Sequence, residues 1–124
     1  MSPAYLTDTH VILWSWHQPH ALPARYAAIL QSNALVYASV VSIWEISIKA
    51  GLGKLKTVDN VTDRLQQTGF KLLQIDSGHA EAVRYLPHHH RDPFDRMLIA
   101  QAMAENLQML TVDRNFASYE IAIA

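Results

Sequence analysis

Short β-prone runs alternate with helical stretches from one end of the sequence to the other, and this alternation constrains the fold more than any other feature. The runs are Tyr5-Leu6, leading into the polar cluster Thr7-Asp8-Thr9-His10, then Ala34–Ala38, Lys71–Ile75 and Met109–Val112, with Tyr119–Ile123 a candidate fifth. Helical stretches lie between them: Val11 to before Pro19, Pro23–Gln31, Val41 to about Ala50, Val58–Thr68, Ser77–Leu86 and Pro93–Asn106. Gly51, Gly53 and Gly69 close two of these and Pro87 halts a third. Strands separated by helices pair in parallel and need helices on both sheet faces. The pattern predicts an α/β fold, a three-layer α/β/α sandwich around a mainly parallel central sheet of four to five strands. No repeat, low-complexity tract or long linker divides the chain, so residues 1–124 read as a single domain.

Composition narrows the function. The 124 residues carry a formal net charge of -1, which gives no broad basic face for double-stranded nucleic acid, so any nucleic-acid contact must be local. Cysteine is absent, which removes disulfides, thiol nucleophiles and thiolate zinc sites. Charged residues make up only 17%, against about 25% in typical domains, a hint that apolar surface is covered by another chain. No apolar run reaches the roughly 18 residues of a membrane span, and Met1–Tyr5 lack the features of a secretory leader. A cytoplasmic protein without a membrane partner is the expectation.

In open parallel sheets ligands sit beyond the carboxyl ends of strands. Asp8 and Asp113 fall at two such ends, and with Glu45 and Asp95 they form a set embedded in apolar segments. Carboxylates gathered in such a setting repel one another unless a cation or proton lies between them. Oxygen ligands select hard ions, Mg²⁺ or Mn²⁺, which can polarise a phosphoryl oxygen and orient a water. Each residue also has a local reading. Ser42 and Glu45 fit a capping box with Ser42 at N-cap, and Glu45 can pair with Lys49 one turn on. Asp92-Pro93-Phe94-Asp95 fits a helix start with Asp92 as cap, and Asp113 fits an ordinary turn.

Four segments resemble the PIN-domain ribonucleases, and more narrowly the VapC-type toxins of type II toxin–antitoxin pairs. They are Leu6-Thr7-Asp8-Thr9-His10, Ser42-Ile43-Trp44-Glu45-Ile46, the run His90-Arg91-Asp92-Pro93-Phe94-Asp95-Arg96-Met97-Leu98-Ile99-Ala100-Gln101-Ala102, and Leu110-Thr111-Val112-Asp113-Arg114-Asn115-Phe116. They fall in the family's order and cover essentially the whole chain; the third is the most specific. The resemblance implies Asp8, Glu45, Asp95 and Asp113 as catalytic acids holding Mg²⁺ or Mn²⁺, with a supporting hydroxyl at Thr9. His10 stands where many members have Asn and receives no role. Asp92 is kept as helix cap and outer support of the site, and Arg96 as a substrate contact. The resemblance further implies a homodimer, a cognate antitoxin and a single-stranded RNA substrate, often a tRNA or ribosomal RNA, hydrolysed by metal-activated water to 5′-phosphate and 3′-hydroxyl ends.

His88-His89-His90-Arg91 reads as a solvated loop, with His90, Arg91 and Arg96 as alternative phosphate contacts. Lys49, Lys54 and Lys56 form a small basic patch whose default role is solubility. Trp14, Trp16 and Trp44 read as core or interface residues before base-stacking ones. Leu98, Ile99, Ala102 and Met103 mark the core side of the last long helix. Two rival functions stand beside the nuclease. A haloacid-dehalogenase-like phosphatase needs Asp-x-Asp after the first strand, and His10 occupies the second place. A non-catalytic PIN-like RNA-binding module would have no use for all four acids.

Overall fold

The computed structural model describes residues 3–124; Met1 and Ser2, part of the stretch read for a leader, lie outside the described residues. Strands β1 (Ala4–Thr7), β2 (Leu35–Ser39), β3 (Lys71–Leu73) and β4 (Gln108–Leu110) form an all-parallel sheet in the order β3-β2-β1-β4. Leu6 lies opposite Tyr37 on one side and Met109 on the other. The chain works outward from β1 to β3, then returns to place β4 on the far side of β1. The switch point therefore lies between β1 and β4.

Six α-helices flank the sheet among the described residues: α1 (Thr9–His17), α2 (Ala24–Gln31), α3 (Val40–Gly51), α4 (Val61–Gln67), α5 (Ser77–Ala82) and α6 (Pro93–Glu105). Alternation along the strands sorts their side chains to two faces. Leu6, Tyr37 and Met109 join Leu98, Ile99 and Ala102 of α6 in one core. Tyr5, Val36, Ala38 and Leu110 join Val11 and Ile12 of α1, Tyr26 of α2 and Leu65 of α4 in the other. Helix α3 reaches both, through Val41 and Ile46.

Several expectations need correction. The fifth strand reduces to one parallel bridge between Met109 and Ile123. Residues Arg114–Ser118 form a 3₁₀ turn, and Tyr119 turns into the core, so the tail meets β4 along a single register. Met103 is 48% exposed rather than part of the core. Helices α1 and α3 begin earlier than the apolar pattern indicated, because Asp8 and Ser39 cap them through the N–H groups of Val11 and Val41. Ser42 is therefore not a cap, and Glu45 belongs to no capping box: both are buried inside α3.

Candidate functional site

Asp8 follows β1 directly and is 2% exposed. Its Oδ1 accepts the Val11 N–H at 2.8 Å and its Oδ2 accepts the Thr111 hydroxyl. Thr111 also accepts the backbone N–H of Asp113 at 3.1 Å, so one hydroxyl ties both strand-end acids together across the switch point. Burial pushes the Asp8 carboxyl above its usual range, against the pull of the Thr111 and Val11 hydrogen bonds.

Glu45 is 3% exposed on the second turn of α3. The Thr9 hydroxyl donates to its Oε1 at 2.7 Å and contacts the Ser42 hydroxyl at 2.9 Å. Lys49 Nζ meets its Oε2 at 2.6 Å, the i,i+4 pair expected from the spacing. That hydrogen bond holds the Lys49 ammonium above its usual range, and the charges of Asp92 and Asp95 act the same way.

Asp95 lies in the first turn of α6, capped by Asp92 through the N–H groups of Phe94 and Asp95. Its carboxyl is pushed up to about 7, first by burial, then by the charge of Asp92 and with smaller pushes from Glu45 and Asp8; His90 offsets only part of this. Asp113 is half-buried at the start of the 3₁₀ turn, where Oδ1 accepts the Asn115 N–H at 2.9 Å.

His90 binds the cluster together. Its Nδ1 accepts the Asp92 N–H at 3.2 Å, which leaves the ring proton of a neutral imidazole on Nε2. Nε2 lies 2.9 Å from Asp95 Oδ2 and hydrogen-bonds Asp113 Oδ2 at 3.2 Å, so the ring stands between the two carboxylates. The three side chains place one potential ligand atom each within 4.8 Å of the others. His90 thus lies against the acids and is no solvated loop residue. The sequence signal was its place two residues before the cap Asp92. Thr111 was likewise missed, although a hydroxyl two residues before an acid is a recurrent local hydrogen-bonding pattern.

Arg96 does something other than expected. It is 8% exposed, and its guanidinium donates to the carbonyls of Val83, Leu86, Pro87 and His90 and to the Tyr119 hydroxyl. Its donors are spent on holding the loop that carries His90, so it is not free to contact a substrate phosphate.

The arrangement suits a hard divalent cation. Among the described residues no buried side-chain N or O lacks a hydrogen-bond partner, so what the cluster has in surplus is charge. Asp8 and Asp95 are both held above their usual range by burial and by other carboxylates, the condition that a cation relieves. Asp95 and Asp113 are the two acids whose oxygens fall, with His90, into one group of potential ligand atoms, and Asp8 and Glu45 stand outside that group. A second acid–histidine group is structural. His79 Nδ1 accepts the Asp76 N–H while Nε2 meets Glu105 at 2.9 Å, which ties α5 to α6.

Comparisons with known proteins agree with this fold. Among solved structures the chain is similar to VapBC2 from Rickettsia felis bound to a promoter DNA fragment, with 15% identity, TM-score 0.70 and coverage of 97% of this chain and 96% of that one. A toxin–antitoxin complex from Klebsiella pneumoniae gives 18%, 0.66, 97% and 96%. FitAcB from Neisseria gonorrhoeae gives 20%, 0.66, 96% and 95%. No curated protein sequence matches. The sequence model of the PIN domain matches residues 5–122, nearly the whole chain. The chain belongs to the PIN-domain family.

Proposed function

We propose that this protein is a metal-dependent endoribonuclease and the toxin of a type II toxin–antitoxin pair. One observation carries the reading: at the carboxyl edge of the sheet His90 stands between Asp95 and Asp113, and the Thr111 hydroxyl ties Asp113 to Asp8, so acids from three remote segments meet, with the buried Glu45 close enough to act on Asp95. Asp8, Glu45, Asp95 and Asp113 would hold Mg²⁺ or Mn²⁺. That ion, when bound, supplies charge neutralisation at a phosphoryl oxygen and a lowered water pKa.

The protein's own contribution is preorganisation. Thr111 and the Val11 N–H fix both oxygens of Asp8. Thr9 and Lys49 fix those of Glu45. His90, locked by the Asp92 N–H, sets Asp95 against Asp113. The acids orient the attacking water, and hydrolysis leaves 5′-phosphate and 3′-hydroxyl ends.

The toxin role is supported by the likeness of the fold to toxin–antitoxin complexes. A homodimer and a cognate antitoxin are supported by exposed apolar side chains on α3, where Trp44, Ile48 and Leu52 recur every four residues. Among the described residues no helix is long and apolar enough to cross a membrane.

The deciding experiment sequences RNA ends after brief induction of this chain and of its Asp95→Asn variant. New 5′-phosphate ends with the wild type alone support the reading, and identical profiles overturn it. Growth arrest relieved by a co-expressed neighbouring gene product supports the toxin role.

A further inference from the structure

Tyr26 is the one buried residue of α2 and is fully enclosed, yet its ring ends in a hydroxyl that packing alone does not need. A phenylalanine would fill the same space, and burying a hydroxyl is costly unless it is bonded. The bonds it makes lead to the acids. The hydroxyl donates to the Thr111 carbonyl at 2.9 Å and accepts the Thr111 N–H at 3.3 Å, so the N–H and the carbonyl of that residue meet one atom. The two residues are 85 positions apart along the chain. Thr111 stands where such a hold matters. The ladder between β1 and β4 ends just before it, where the Asp8 N–H donates to the Leu110 carbonyl at 3.1 Å. Beyond that point Thr111 carries the hydroxyl that donates to Asp8 and accepts the Asp113 N–H. The phenol is itself held from behind. The Arg25 guanidinium lies over its ring at 4.7 Å, and both residues donate to the Ala124 carbonyl, Tyr26 at 2.9 Å and Arg25 at 3.3 Å. The Ala124 N–H in turn donates to the Met109 carbonyl of β4 at 3.0 Å.

We infer that Tyr26 is a positioning residue of the acid site: its hydroxyl fixes the Thr111 backbone, and through Thr111 it sets where Asp8 and Asp113 stand relative to each other. The role holds for the folded chain with or without an ion, and its consequence for metal binding rests on the nuclease reading. Asp8 and Asp113 repel each other across the switch point. The Thr111 hydroxyl bridges them, but a bridge is only as firm as the backbone that carries it. Tyr26 supplies that firmness from the core it shares with Leu110, without itself touching substrate or ion. Groups that orient ligands from behind commonly govern metal affinity by tenfold or more, in the order-of-magnitude sense of about 10- to 100-fold.

Amide hydrogen exchange on the ion-free protein tests the positioning directly. Tyr26→Phe keeps the ring and is expected to speed exchange at Thr111 and Asp113 about fivefold or more beyond any change at Leu6 and Ala38 in the strands. Leu65→Ala, a truncation of the same core on α4, is expected to speed all four alike. Calorimetric titration with Mn²⁺ reads the consequence. Tyr26→Phe is expected to lower affinity about tenfold, and Leu65→Ala to leave it unchanged. Once Thr111→Val has removed the bridging hydroxyl, Tyr26→Phe should add no further loss, because the two groups act in series. Thr111→Ser keeps a hydroxyl and should keep the sensitivity to Tyr26→Phe. Uniform exchange in Tyr26→Phe overturns the inference. So do additive losses in the double variant, or an unchanged Mn²⁺ affinity in Tyr26→Phe when wild type binds the ion. Each of these leaves the nuclease reading standing where wild type binds Mn²⁺ and cuts RNA. A wild type that does neither sinks the nuclease reading, and the exchange comparison alone then decides the role of Tyr26.

Discussion

Asp95 occupies a place where a helix favours a carboxylate, the first turn of α6, yet burial and neighbouring charges outweigh that preference and hold its pKa near about 7. In the unfolded chain the group returns to an ordinary value of 3.8. The folded protein therefore binds the extra proton between these values, and stability contributed by this group falls as pH rises from about 4 to about 7. Ion-free wild type should lose melting temperature across that range, and Asp95→Asn should flatten the loss. At pH 8 in chelator the variant should melt higher than wild type by about 3–6 °C, a change of about 1 kcal/mol. Mn²⁺ should raise the wild-type melting temperature most above pH 7 and leave the variant unmoved; calorimetric melting curves with and without the ion check all three. His90 offers a second test at this scale. His90→Ala should lower Mn²⁺ and Mg²⁺ affinity alike, by about tenfold or more, because it removes a hydrogen bond that orients two ligands. His90→Gln retains a donor and should recover part of the loss. A selective loss of Mn²⁺ would instead mark the ring as a ligand.

At the scale of elements, short polar contacts decide where helices start and how the site loop is held. Ser39 caps α3 and also donates to Gln101 Oε1 at 2.6 Å, joining α3 to α6 in a fully buried position. Ser39→Ala should cost about 2–3 kcal/mol, the sum of a lost cap and an unpaired buried amide. Arg96→Ala should cost about 2–4 kcal/mol and weaken ion binding as well, since the loop bearing His90 loses its anchor. Urea unfolding with parallel ion titration checks both. The order of strands and helices was legible because the apolar runs alternate cleanly and Gly, Pro and Asp punctuate them. Asp95 and Asp113, which meet at His90, were both among the acids that the motifs singled out. Three features were not legible. The capping box at Ser42–Glu45 matched a local pattern that burial against Thr9 overrode. Arg96 looked available because sequence cannot show four carbonyls closing around a guanidinium. His90 looked solvated because it stands in a run of three histidines, where only its spacing to the cap Asp92 sets it apart.

For the whole molecule, the exposed line of Trp44 and Ile48 on α3 and Leu52 just past its end sets an expectation for association. Trp44 is 58% exposed and packs edge-on against Phe94 at 5.2 Å, so it stands close to the start of α6. Trp44→Asp should shift the sedimentation of the protein toward monomer with its circular dichroism unchanged; an unaltered distribution places the contact elsewhere. Assembly of the site has a consequence in time. The contact of Thr111 with Asp8 closes a span of 103 residues, and β1 meets β4 only after the chain has passed through β2 and β3. A nascent polypeptide cannot bring Asp8 and Asp113 together until the whole span between them has left the ribosome. Until Asp113 has been synthesised and β4 has docked, the acids of this site are apart and the site does not exist.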